Sequence, residues 1–461
     1  PRTHLLSNRT YSVMISTAGG GYSKCGDVGV TRWKEDATRD HLGSFIFIKN
    51  KTDKALWSSS FQPLPTLPEE YQVTFSEDKV EFRRRDGDVS THTQIIVAPE
   101  DNVEIRHITL TNHSGKAKTI ELTSYLEPTL NPPNNDLDHQ AFSKLFIQTE
   151  YLASKNALLA KRRKRSAQEI ENWSLHVVVT DGHLTSNIQY ETDRNNFIGR
   201  GRTISKALAL LEDGNLSNET GAAIDPILSL RIQVELPEYG KTQIAFTTGL
   251  TQSKEKALEL ADRYHDIHAF DRETKRAWTQ AQVDLLHLNI DPQTAYLYQR
   301  LAERILYSEP SLRPPTHQRV ANTNQQSSLW PSGIGGDLPI VVVRIDDQKD
   351  MAIVRKLLRC HEYLRSKGLV YDFVIINEHD SNYFQDVQDD LQQQIRSTGG
   401  QGWLNKNGGI FVLRKNITPA RDLAHIQAVA RVSLIASEPL EEQINRRPTE
   451  EKYPPLANYK Y

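Results

Sequence analysis

From residue 11 to about residue 250, apolar and polar positions alternate along the chain. Gln72-Val-Thr-Phe75 and Val103-Glu-Ile-Arg-His-Ile-Thr-Leu110 set the pattern, 119–125, 175–179, 227–236 and 242–246 repeat it with interruptions, and the short apolar run Phe45-Ile-Phe-Ile48 is read as a strand with them. Successive side chains of an extended strand point to opposite faces, so a period of two predicts strands. Turn-forming residues separate the runs, as in Asp86-Gly87, Asn112-His-Ser-Gly115 and Asp181-Gly182. Many short strands at hairpin spacing predict a large antiparallel sandwich.

The period then lengthens. Ser253 opens a run to Tyr264 with helical spacing, 270–288 continues it, and Asp291-Pro292 opens a third run to Leu306. Ser and Asp accept from the free N–H groups of a first helical turn, and proline fits the first helical position, so both act as start signals. Beyond Pro314-Pro315 and a polar stretch reaching Ser328, short apolar runs at 338–345, 370–377 and 409–413 alternate with helical segments ending at Ser366, running from Asp380 to Arg396, and ending at Ala430. That alternation predicts a small parallel or mixed sheet with helical crossovers. The chain is therefore expected to be multidomain, β then α then α/β: an antiparallel sandwich over 1–250, a helical linker over 251–328, an α/β unit over 329–440 and a linker tail over 441–461.

Composition removes several classes of function. Lysine and arginine total 56 against 58 aspartates and glutamates, a formal charge of -2, so no global field recruits nucleic acid or an anionic membrane. The two cysteines, Cys25 and Cys360, are too few for a disulfide framework or a cysteine-based metal site, and no metal or other cofactor is expected. The best apolar run, 338–345, is interrupted by Arg344 and is far short of the ~20 residues that span a bilayer. The segment after Pro1 has neither the charged nor the apolar region of a signal peptide, which predicts an internal piece of something longer.

Among candidate chemistries, Thr17-Ala-Gly-Gly-Gly-Tyr-Ser23 stands out, because Gly19, Gly20 and Gly21 let the backbone approach a ligand or a neighbouring strand closely. It reads either as a tight turn or as a sugar-contacting loop with Tyr22 as a platform. Arg32, Trp33, Trp57 and Trp330 suit sugar recognition, through C–H faces stacked on rings and hydroxyls bonded to charged groups; a tryptophan can equally be core. Trp330-Pro-Ser-Gly-Ile-Gly-Gly-Asp337 is a glycine-rich loop that could hold a polar ligand through Asp337 or simply turn the chain. The acidic pairs Glu69-Glu70, Asp346-Asp347 and Asp389-Asp390 diverge on any regular element and read as solvated charge. No metalloprotease, zinc-ribbon or serine-elbow pattern occurs, and the basic run 161–165 reads as a solvated loop.

Taken together, Leu5-Leu-Ser-Asn8 with Tyr11-Ser-Val-Met14, Ala18–Ser23, Val30-Thr-Arg-Trp33, Glu35-Asp-Ala-Thr-Arg-Asp40 and Gly43-Ser-Phe-Ile46 resemble the supersandwich that opens glycoside hydrolase family 94, the cellobiose and chitobiose phosphorylases. Further stretches are similar to the cyclic β-1,2-glucan synthases: Phe142-Ser-Lys-Leu-Phe146, Glu191-Thr-Asp-Arg194, Leu216-Ser-Asn218, Asp225-Pro226, Trp278–Gln282, Gly333–Ile340 and Val374–Glu378. The resemblance covers about residues 4–440. It implies a region of a long inner-membrane protein that makes and trims glucan, with this part cytoplasmic, bound to β-glucan and to other domains of the same polypeptide, and without membrane contact of its own. It also implies that the family's catalytic acid lies in an α-helical barrel after the sandwich. Residues 330 onward depart from that barrel, so no catalytic residue is transferred.

What the resemblance carries over is a set of sugar-contact candidates: Gly19, Gly20, Gly21, Tyr22, Arg32 and Trp33, joined by Trp330 and Asp337 from the later loop. Three functions remain open at this level: a non-catalytic glucan-handling module, a structural spacer between catalytic domains, and a degenerate phosphorylase in which Asp337 supplies the acid.

Overall fold

The computed structural model describes residues 2–36, 38–379 and 386–446. The expected helix start at Asp380 and all but the first six residues of the expected 441–461 tail lie outside them. The described chain forms two compact units, one of residues 1–295 with 366–368, the other of 296–365 and 369 onward.

Three antiparallel sheets build the first unit. The largest has eight strands, with Lys241–Thr251 and Val103–Asn112 paired at its centre. A five-stranded sheet centres on Pro226–Leu236, Lys118–Tyr125 and Phe45–Asn50, and a second carries Thr3–Ser7, Tyr11–Ser16, Gly21–Cys25, Val28–Thr31 and Pro128–Asn131. The period of two explains how they stack. On Phe45–Asn50, Ile46 and Ile48 enter the central core with Trp57, Phe82 and Phe246, while Phe45 and Phe47 enter a separate core with Tyr125, Phe197 and Leu210. Both faces are covered, so the strand is apolar at consecutive positions.

Val103–Asn112 divides in the same way. Ile108 and Leu110 face the central core, whereas Val103 and Ile105 face Trp173, Leu175, Leu260 and Phe270. His107 lies on that second face, stacked on the Phe270 ring with centroids 4.1 Å apart. Trp173 and Leu175 belong to strand Trp173–Thr180 of the same sheet, whereas Leu260 and Phe270 come from helices Lys254–Arg263 and Ala269–Leu288, which pack on it within the first unit. Ser253 caps the first of these through its Oγ, which accepts from the Lys256 N–H. Asp291 likewise accepts from Thr294 N at 2.7 Å at the start of Pro292–Leu306, the helix in which the chain passes to the second unit.

The second unit contains a parallel sheet in the order Ile410–Arg414, Asp372–Asn377, Ile340–Ile345, Val432–Ile435. Helices Met351–Ser366, Asp386–Ser397 and Ala420–Val429 connect these strands. Ile340, Val342, Val374, Ile376 and Phe411 cover one face together with Leu423 and Ile426. Two stretches hold elements that the sequence reading does not place. The polar stretch reaching Ser328, at the end of the expected helical linker, holds helix Thr316–Ala321 and the 3-10 turn Gln326–Ser332. Pro315 stands just before that helix, where its missing N–H costs nothing. Strand Val432–Ile435 was not expected, because four residues are too few to show a period.

Among the described residues no helix is long and apolar enough to cross a membrane and no cluster of ligating side chains suits a metal ion. Cys25 and Cys360 are free thiols.

Candidate functional site

Strands Val28–Thr31 and Pro128–Asn131 pair antiparallel with Thr31 opposite Pro128. The next residues outward, Arg32 and Glu127, are therefore neighbours, and Arg32 N donates to the Glu127 carbonyl at 2.8 Å. Just beyond this strand pair, Pro132-Pro133 starts the short helix Pro133–Asp138 and brings Asp136 to the same place. The Arg32 guanidinium lies between the two carboxylates. Its Nε and Nη2 donate to Asp136 Oδ2 and Oδ1 at 2.8 and 3.0 Å, and its Nη1 donates to Glu127 Oε2 at 2.7 Å.

Glu127 passes the network on. Its Oε1 accepts from the Tyr125 hydroxyl at 2.6 Å and from Arg194 Nε at 2.9 Å. Arg194 opens a short helix capped by Asp193, and it also pairs with Asp225 at 3.5 Å. Lys144 closes the row at 2.6 Å from Asp225. The result is an alternating chain of six charges, Asp136, Arg32, Glu127, Arg194, Asp225 and Lys144. Four separate sequence motifs meet in it: Val30–Trp33, Phe142–Phe146, Glu191–Arg194 and Asp225-Pro226.

Burial alone would lower the Arg32 guanidinium, yet Asp136 and Glu127 raise it above its ordinary value. Burial would likewise raise Glu127, and Arg32, Tyr125 and Arg194 outweigh that effect and hold its carboxyl below the usual range. The Tyr125 hydroxyl is pushed far up by burial and by the neighbouring Glu127 charge. Arg32 and Glu127 are thus held in their ionised forms around neutral pH.

A cleft of about 650 Å³ opens over it. Arg32, Glu127, Asp136 and Arg194 form part of its wall, while Arg39, His41 and Arg202 supply further donors. Gln62, joined to Pro63 by a cis peptide bond, adds an amide, and Thr203 and Ser205 add hydroxyls. Leu42, Pro63, Pro65, Leu137 and Ile204 supply apolar patches. Small clefts that bind polar molecules combine apolar wall with a few fixed donors and acceptors, and this volume lies within their usual range.

The candidates from sequence fall around the cleft in different ways. Arg32 lies in its wall, with three of its N–H groups engaged by Asp136 and Glu127. Gly19, Gly20 and Gly21 are buried. A Cβ on Gly20 would overlap Asp40, and one on Gly21 would lie 1.8 Å from the Met14 carbonyl oxygen. Gly21 N donates to the Leu42 carbonyl at 3.0 Å, so the glycine turn seats segment 39–43, which carries Arg39, His41 and Leu42 of the cleft wall. Burial raises the Asp40 carboxyl despite a hydrogen bond from Ser16, and that carboxyl is turned toward Ser16 and the glycine turn.

Tyr22 and Trp33 are half-buried and meet edge to face, with ring centroids 5.3 Å apart, and neither is part of the cleft wall. Trp57 is core, with its indole N–H donating to Thr91 Oγ1 at 3.2 Å. Trp330 and Asp337 belong to the second unit; both are exposed, and Asp337 accepts from Gln326 Nε2 at 3.0 Å. Sequence reasoning missed Glu127, Asp136, Tyr125 and Lys144 as site residues. The one usable signal was a glutamate placed directly after the apolar strand end Tyr125-Leu126.

The profile of the glycosyl hydrolase 94 supersandwich domain matches residues 1–267. Cyclic beta-(1,2)-glucan synthase NdvB of Rhizobium meliloti (strain 1021) is 36% identical over 418 residues, which are 90% of this chain and 15% of that protein. N,N'-diacetylchitobiose phosphorylase of Vibrio proteolyticus is 22% identical over 276 residues, 59% of this chain and 33% of that enzyme. Solabiose phosphorylase of Paenibacillus borealis is 22% identical over 220 residues, 47% of this chain and 27% of the enzyme. The chain spans a third or less of each of these relatives.

Proposed function

The chain belongs to the glycosyl hydrolase 94 supersandwich family, and from that membership we propose that it is a non-catalytic glucan-handling region of a cyclic β-1,2-glucan synthase, holding linear glucan in the Arg32 cleft. Its partners on this reading are the glucan chain and the other domains of one polypeptide. The cleft over the charge network carries the proposal. Guanidinium and amide groups there can donate to sugar hydroxyls, carboxylate lone pairs can accept from them, and the proline and leucine surfaces suit the C–H faces of the rings.

The same network argues against chemistry at this place. Cleavage of a glycosidic bond needs a carboxylic acid able to give up a proton to the leaving oxygen. Glu127 and Asp136, the carboxylates of the cleft wall, are both clasped by Arg32. Charge-assisted bonds of this kind hold Glu127 as a carboxylate with no proton to donate, and engage both oxygens of Asp136.

Calorimetric titration with a linear β-1,2-linked gluco-oligosaccharide is expected to show saturable binding. Arg202→Gln and His41→Ala, both in the cleft wall, are each expected to weaken it about tenfold, or about 1.4 kcal/mol. Absence of binding to the folded chain would favour a structural spacer. The chain is also expected to release no glucose 1-phosphate from β-1,2-glucan in phosphate buffer; turnover abolished by Asp337→Asn would instead establish a degenerate phosphorylase.

A further inference from the structure

The parallel sheet of the second unit changes direction between two adjacent strands. Its first strand in sequence, Ile340–Ile345, lies inside the sheet; the next two add on one side and the fourth, Val432–Ile435, adds on the other. In open α/β sheets the crevice beside the carboxyl ends of two strands that part in this way is the usual place for a ligand. Here a cavity of about 610 Å³ opens over one face of the two parting strands, where Arg344, Ser433 and Ile435 present their side chains. Arg344 and Ile435, register partners near the ends of the two strands, line it, and residues 310–319 close the other wall.

Its charge is one-sided. Arg313, Arg319, Arg344, Arg446 and His317 line the cavity, and among the described lining residues there is no carboxylate. Among the described residues, Glu378 lies 3.6 Å from Arg344 Nη1 and Glu438 pairs with Arg446 at 2.5 Å. Arg319 donates to the Pro314 carbonyl and to Thr316 Oγ1, which aligns its guanidinium without cancelling its charge. The buried Nε of Arg344 has no hydrogen-bond partner among the described residues. A buried donor in that state is normally met by a ligand or water.

We infer that this cavity binds a phosphate ester, with the phosphate held between Arg319 and Arg344. The cations of its wall are arginines, with His317 and no lysine, and planar guanidinium forks match tetrahedral oxyanions through paired hydrogen bonds. The volume exceeds what a bare phosphate needs, and Pro310, Leu312, Pro314 and Ile435 provide apolar surface for an attached sugar or base. This site rests on the second unit alone and stands or falls independently of the glucan reading.

The test is calorimetric titration of the full chain with glucose 6-phosphate, adenosine diphosphate, inorganic phosphate and sulfate at matched ionic strength. Saturable binding of one of the two esters, at least tenfold tighter than either inorganic anion, is expected, and the preferred ester tells a sugar from a nucleotide ligand. Arg344→Gln and, separately, Arg319→Gln should each weaken that binding at least tenfold. Arg344 is paired with Glu378, so thermal melting is followed alongside; Arg319 lies on the surface helix and serves where Arg344→Gln unfolds. Equal affinity for all four anions, no saturable binding, or full binding by a folded Arg319→Gln chain would overturn the assignment.

Discussion

Arg32→Ala is expected to lower the stability of the chain by about 3–5 kcal/mol, the scale on which removing one member of a buried ion network acts. The side chains of Arg32 and Asp136 are each 4% exposed and that of Glu127 is 10% exposed. Without the guanidinium, Asp136 loses both of its bonds to Arg32, and among the described residues Glu127 keeps Tyr125 and Arg194. Two carboxylates would then be buried with too little compensation, and most of the loss is their desolvation. Combining Arg32→Met with Glu127→Gln and Asp136→Asn should recover much of it, because the charges leave together. Denaturant titration measures both. A loss below about 1 kcal/mol for Arg32→Ala would mean that water reaches the network. The single variant should also regain stability as pH falls, since its stranded carboxylates then take up protons.

The second large effect is a pH dependence located at Asp372, the first residue of the second strand of the parallel sheet. It is fully buried; its Oδ1 accepts from Gly408 N at 2.7 Å, and its Oδ2 has no partner among the described residues. Burial first, and then the nearby Asp337 charge, push this carboxyl up to about 6 from 3.8. The folded state therefore binds the proton more tightly than the unfolded one. Its contribution is complete below about pH 4 and is lost as pH rises through about 6. At about 1.4 kcal/mol per unit, discounted for solvent screening, the loss comes to about 1–2 kcal/mol. Asp372→Asn keeps an oxygen for Gly408 and removes the titration. Calorimetric melting from pH 4 to pH 7.5 should show wild type losing that amount relative to the asparagine variant. Parallel curves for the two proteins would rule the effect out.

The cleft has a different standing in the sequence from the strands around it. Arg32 was visible as a candidate, and so were the motifs ending in Arg194 and Asp225, yet nothing local joined them. Arg32 meets Glu127 across 95 positions and Asp136 across 104, and Arg194 reaches back 67 positions to Glu127. The glycine turn was legible as a demand for close approach. What approaches, Asp40 and the Met14 carbonyl, lies on other segments, so the turn supports the cleft through 39–43.

Local physics accounts for what the sequence determined by itself. Alternation at Val103–Leu110 marked a strand because side-chain direction repeats every two residues, and Ser253 and Asp291 marked helix starts because their oxygens satisfy N–H groups only three residues ahead. The switch to a small α/β unit with parallel pairing was legible for the same reason. Only the tertiary structure decided which faces of those strands are covered, that Trp57 is core, and that six charges from distant segments close into one chain beside a cleft. Burial and ion pairing depend on which surfaces meet in space, and residues a hundred positions apart leave no periodic trace of meeting.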